Sequence, residues 1–106
     1  MSTHILNRLH EVLEERKGAP PDNSYVASLY DKGTEKISCK LMEEASETII
    51  EALKGDTEKL AAESADLLFH LMILWADQGL TPDDIFDILE TRFGTCGHNE
   101  KSTRNS

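Results

Sequence analysis

Cysteine is scarce: Cys39 and Cys96 are the whole complement of a 106-residue chain. They stand too far apart for a C-x-x-C site, and two thiols make no disulfide framework. This usage fits a reducing cytoplasm. Neither cysteine has a base or metal partner nearby in sequence, so both read as inert thiols. Basic residues are few, 11 against 20 acidic ones, for a formal charge of −9. Without a basic face the chain is poorly equipped for nucleic acid or for an anionic membrane surface. Long apolar runs are also missing. Leu67 to Leu74 is broken by His70 and is too short to span a bilayer. The start, MSTHILNRLH, is amphipathic rather than continuously apolar, which argues against a secretory signal. No stretch has the alternation of a strand, and no segment repeats.

What remains is helix, enough for one domain. Thr3 to Lys17 carries Ile5, Leu6, Leu9, Val12 and Leu13 at helical spacing, with Ser2 or Thr3 as cap. Gly18 to Ser24 holds two prolines and breaks it. A short helical piece runs from Ser24 to Tyr30, and Gly33 ends it. Thr34 to about Lys54 is a long helix whose apolar arc is Ile37, Leu41, Met42, Ala45, Ile49, Ala52 and Leu53. Gly55-Asp56 turns the chain into a second long helix, Thr57 to Gln78, so the two form an antiparallel hairpin. Thr81-Pro82 opens the last helix, with Thr as cap and Pro at its first position. Ile85, Ile88, Leu89 and Phe93 are expected to face the core, and Gly94 to close the helix. The fold class is all-α, an antiparallel helical bundle.

The second long helix organises the rest. Leucines, alanines, Phe69, Met72, Ile73 and Trp75 occupy nearly its whole circumference, which predicts burial on all sides. So small a chain covers such a rod with difficulty, and that favours a homodimer. One narrow stripe is polar: Lys59, Glu63, Asp66, His70 and Asp77. A carboxylate on a buried rod costs several kcal/mol unless a cation or donor compensates it. On the preceding helix Lys36, Lys40, Glu43, Glu44 and Glu47 share a stripe. The hairpin sets Glu44-x-x-Glu47 against Glu63-x-x-Asp66 when the stripes face each other. Four carboxylates there repel unless cations sit among them. An all-oxygen set suits Mg²⁺ or Mn²⁺ rather than zinc or iron, and the Glu-x-x-His of di-iron bundles is absent. The plainer account is a solvated stripe, with Lys40–Glu44 as an i, i+4 pair and Lys59 or Lys36 bridging Glu63 and Asp66. His70 reads as a packed, hydrogen-bonded histidine rather than a ligand.

The spacing Glu44-x-x-Glu47 followed by Glu63-x-x-Asp66 resembles the metal signature of the all-α nucleoside triphosphate pyrophosphatases, the MazG-like superfamily. The flanks narrow it. Ser24-Tyr25-Val-Ala-Ser28-Leu29-Tyr-Asp-Lys32-Gly33, Lys36-Ile37, Lys40, Glu43-Glu44-Ala-Ser-Glu47-Thr48 and Ala65-Asp66-Leu-Leu-Phe-His70 resemble the phosphoribosyl-ATP pyrophosphatase family of histidine biosynthesis. The tail from Arg92 to Arg104 is similar to that family's ending, with Cys96 where Ser is expected. The resemblance implies a homodimer and Mg²⁺-dependent hydrolysis of phosphoribosyl-ATP to phosphoribosyl-AMP and pyrophosphate. It implies Glu44, Glu47, Glu63 and Asp66 as metal ligands. It gives the attacking water to one of these or to Glu43. Ser28, Lys32, Lys36 and Lys40 are implied on the substrate side, and Lys101 and Arg104 reach it from the tail. The domain is expected over 1–93 and a polar tail over 94–106. The rival readings are a house-cleaning (d)NTP pyrophosphatase of the same superfamily and a non-enzymatic helical dimerisation module.

Overall fold

A computed structural model describes residues 4–94 of the chain. Among them all regular structure is helical. Helix α1 spans Ile5–Glu15. Its cap is His4, whose Nδ1 accepts from the Leu6 amide at 3.1 Å; Ser2 and Thr3 lie outside the described residues. Two short 3₁₀ turns, Arg16–Gly18 and Pro21–Asn23, carry the chain past its paired prolines. Helix α2 is Tyr25–Lys32, capped by the Ser24 hydroxyl, which accepts from the Ala27 amide at 3.2 Å.

Helix α3 is Thr34–Lys54 and α4 is Thr57–Asp77, joined in the expected antiparallel hairpin. Gly55 makes the turn at φ 77°, a left-handed conformation that costs glycine least. Asp56 then caps α4, accepting the Lys59 amide at 3.1 Å. The open end of the hairpin is tied by Thr34, whose hydroxyl donates to Asp77 Oδ2 at 2.6 Å. Helix α5, Pro82–Leu89, starts with Pro at its first position and a reciprocal capping box between Thr81 and Asp84, and a π turn over Glu90–Gly94 follows.

The core gathers Leu13, Val26, Leu29, Ile37, Met72, Ile73 and Ala76 from α1 to α4, with Leu6, Leu9, Tyr30, Phe69, Leu74 and Trp75 packed around them. Tyr30 donates its hydroxyl to the Leu13 carbonyl at 3.1 Å, and burial pushes its phenol up to about 12. All of this lies at the open end of the hairpin. From Ser38 to Phe69 no residue is fully buried. The expectation that α4 is covered on all sides therefore fails within one chain. Ala61, Ala62, Ala65 and Leu68 are exposed, and full burial is confined to its second half. Periodicity marks a surface as apolar without saying which chain covers it. The outer flank of α3 is likewise bare, with Met42, Ile49 and Leu53 exposed. Ile88, Leu89 and Phe93 of the last helical stretch do not face the core either; each is exposed. Helix α5 packs on α1 instead, where Phe86 meets the His4 ring edge-on at 5.5 Å.

Candidate active site

The hairpin faces one edge of α3 with one edge of α4, midway along its length. Glu44 of α3 and Glu63 and Asp66 of α4 each bring a carboxylate oxygen to this point, all within 4.8 Å of one another. Asp66 is exposed, whereas Glu44 and Glu63 are half-buried. Each of these two has an Oε1 that reaches neither solvent nor a hydrogen-bond partner. A buried carboxylate oxygen left this way is costly. Burial pushes the Glu63 carboxyl above its ordinary range, helped by a hydrogen bond with Glu47 and by the charges of Glu47, Glu44 and Asp66. Glu47 itself is exposed and stands beside Glu63 rather than within the tight trio.

The expected compensating lysines are elsewhere. Among the described residues no lysine or arginine forms an ion pair with Glu44, Glu63 or Asp66. Lys40 pairs with Glu43 at 3.1 Å and not with Glu44, because three residues along the helix serve this geometry as well as four. That hydrogen bond and the Glu43 charge hold the Lys40 ammonium above its usual value, with smaller contributions from Tyr25 and Glu44. Lys32 and Lys36 are exposed and outside any ion pair among the described residues. Ser28 donates its hydroxyl to the Tyr25 carbonyl at 2.7 Å. Lys101 and Arg104 lie outside the described residues. Asp77, on the same stripe as Glu63, is engaged by Thr34 and Gln78 at the hairpin's open end.

Behind the trio are groups that sequence reasoning gave no role in the site. His70 is 6% exposed. Its Nδ1 lies 2.8 Å from the Asp66 carbonyl and its Nε2 lies 2.8 Å from the Tyr25 hydroxyl. It is thus a packed, hydrogen-bonded histidine. Thr48 places its hydroxyl 2.8 Å from the Glu44 carbonyl and 3.2 Å from the Glu63 carbonyl. The sequence signal for Thr48 was its place four residues after Glu44, where a threonine bonds back onto its own helix.

Residues 6–93 match the family described as phosphoribosyl-ATP pyrophosphohydrolase. The chain belongs to that family. Relatives named phosphoribosyl-ATP pyrophosphatase agree along nearly their full lengths. One from Azospirillum brasilense is 51% identical over 100% of this chain and 96% of its own. One from Methylococcus capsulatus is 51% identical over 94% of this chain and 95% of its own. One from Geobacter sulfurreducens is 48% identical over 95% and 94% respectively. Membership in the pyrophosphohydrolase family agrees with the all-α architecture, and it makes the chain an enzyme rather than a bare dimerisation module. No helix of the described residues is long and apolar enough to cross a membrane.

Proposed function

We propose that this enzyme hydrolyses phosphoribosyl-ATP to phosphoribosyl-AMP and pyrophosphate in histidine biosynthesis, with Mg²⁺ as its metal. The observation that carries the metal is the carboxylate trio of Glu44, Glu63 and Asp66, with two buried oxygens and, among the described residues, no lysine or arginine in an ion pair with it. An oxygen-only donor set with orphaned buried oxygens fits a hard divalent cation, Mg²⁺ or Mn²⁺. Glu44, Glu63 and Asp66 would hold it, and Glu47 would join through its contact with Glu63. An ion held there would supply positive charge to offset that of a polyphosphate.

The protein's own residues supply the rest. Glu47, at the edge of the ligand set, and Glu43, outside it, are the carboxylates assigned to orient the attacking water or accept its proton. Lys40, between Glu43 and Tyr25, offers a cation to the phosphates from the α3 flank, with Lys36 one turn before it. Ser28 and Lys32 are assigned to the substrate from α2, and Lys101 and Arg104 from the tail, on the family resemblance. We place the catalytic domain over residues 1–93 and the tail over 94–106. The enzyme works in the cytoplasm as a homodimer, which covers the bare flank of α3. Pyrophosphate release is to be measured from phosphoribosyl-ATP, ATP and dNTPs, each with Mg²⁺ and with EDTA. The reading expects phosphoribosyl-ATP to be preferred and EDTA to stop turnover. Equal or better turnover of ATP or dNTPs would transfer the enzyme to the house-cleaning class.

A further inference from the structure

The backbone carbonyls of all three clustered residues are held from behind by side chains. The Thr48 hydroxyl takes two of them, Glu44 in its own helix at 2.8 Å and Glu63 across the hairpin at 3.2 Å. One hydroxyl carries one proton, so that proton is shared between α3 and α4. His70 takes the third. A carbonyl only accepts, so the Nδ1 2.8 Å from the Asp66 carbonyl carries the hydrogen. In the neutral ring Nε2 is then an acceptor, and the Tyr25 hydroxyl donates to it at 2.8 Å. This chain of bonds ties α2 to the turn of α4 that bears Asp66.

We infer that Thr48 and the His70–Tyr25 pair are positioning residues that fix the backbone beneath the Glu44, Glu63 and Asp66 carboxylates. The inference rests on the cation reading above. Gathered carboxylates repel one another, so the two helices of the hairpin are pushed apart where they need to be closest. The shared Thr48 proton opposes that push across the seam. The imidazole, locked in one tautomer, stops the Asp66 turn from rotating. Glutamate and aspartate side chains are flexible, so a cradle tight enough for a divalent ion needs its backbone held in place. The bond from Thr48 to its own helix alone would be ordinary; the second contact, across the hairpin, sets this threonine apart.

The test uses Mn²⁺ and the full chain without nucleotide, with free Mn²⁺ followed by electron paramagnetic resonance. Thr48→Val keeps the shape and removes the hydroxyl; Thr48→Ser keeps the hydroxyl. Thr48→Val should bind Mn²⁺ roughly 10–100-fold more weakly, as is usual when a supporting partner of a ligand is lost. Thr48→Ser should stay near wild type, and Tyr25→Phe should fall between. Circular dichroism should show the same helix content in all. A lower melting temperature with unchanged Mn²⁺ affinity would mean a merely structural role and overturn the inference. Should Thr48→Val not fold, Thr48→Ala and Tyr25→Phe carry the test, and wild-type affinity in both overturns it. Glu63→Gln separates the two levels. If wild type binds Mn²⁺ no better than Glu63→Gln, the cation reading itself falls and takes this inference with it.

Discussion

Replacing Ile49 with lysine is expected to split the proposed homodimer while leaving the chain folded. Ile49 is 59% exposed, and Met42 and Leu53 on the same flank of α3 are 71% and 84% exposed. The spacing of seven and then four residues puts them in one stripe. None belongs to the chain's own core, and lysine suits a helix at least as well as isoleucine. Complete burial of an isoleucine contributes about 1.5–3 kcal/mol. With more than half of its surface still uncovered, about 1–2 kcal/mol remains for a partner to supply. An ammonium set into the apolar contact adds a desolvation penalty of at least about 1 kcal/mol. In a two-fold dimer each change occurs twice, for a total of roughly 4–6 kcal/mol. At about 1.4 kcal/mol per decade, the dissociation constant should rise by some three to four orders of magnitude. Sedimentation velocity across the micromolar range reads this directly, with far-ultraviolet circular dichroism to confirm unchanged helicity. A variant that sediments as a dimer with wild-type affinity would refute the assignment of this flank. A monomeric wild type would refute the dimer.

Glu63→Gln and Asp66→Asn should each abolish pyrophosphate release with the helical signal intact, because relief of repulsion within the cluster offsets the interactions each carboxylate gives up. Ordinary turnover in saturating Mg²⁺ would sink the ligand assignment. Millimolar Mg²⁺ should raise the melting temperature of wild type but not of Glu44→Gln, since only the folded hairpin gathers these carboxylates; equal shifts in both would count against it. In metal-free protein, Glu63 is held above its ordinary carboxylate range. Between the ordinary range and the raised value the folded state therefore binds more proton at this group than the unfolded state does. The stability this group contributes is full below the ordinary range and is lost as pH rises to the raised value. Glu63→Gln should flatten that part of the metal-free stability profile, and an unaltered slope would contradict the shift.

The helices were readable because their signals are local: the Thr81-Pro82 start, the Gly55-Asp56 reversal and the prolines after α1 each act within a few residues. Glu44, Glu63 and Asp66 were readable as neighbours because a short-looped hairpin fixes which faces meet. Side-chain choices were harder. Lys40 had carboxylates at both three and four residues' distance, and spacing alone does not choose between Glu43 and Glu44. Thr48 sits in the quoted motif yet showed no role, because its second partner is a carbonyl on the other helix. The cover of α4 is not legible in the sequence, because apolar content marks a surface without naming what lies on it. Leu68 is about as apolar as Ile73, yet it is exposed, and among the described residues no further helix lies on it.

The fully buried core lies at one end of the hairpin and the carboxylate trio near its middle, so the enzyme's firmness is graded along its length. In a lone chain, amides of α3 and α4 near the Gly55 turn should exchange with deuterium sooner than those around Ile37 and Ile73, since little packs over them. The site stands on that gradient. Dilution would then act on catalysis as well as on assembly. As partners of the proposed dimer separate, the segment carrying Glu44 and Glu63 would lose cover before the core at the open end, and specific activity should fall with enzyme concentration while most helix persists.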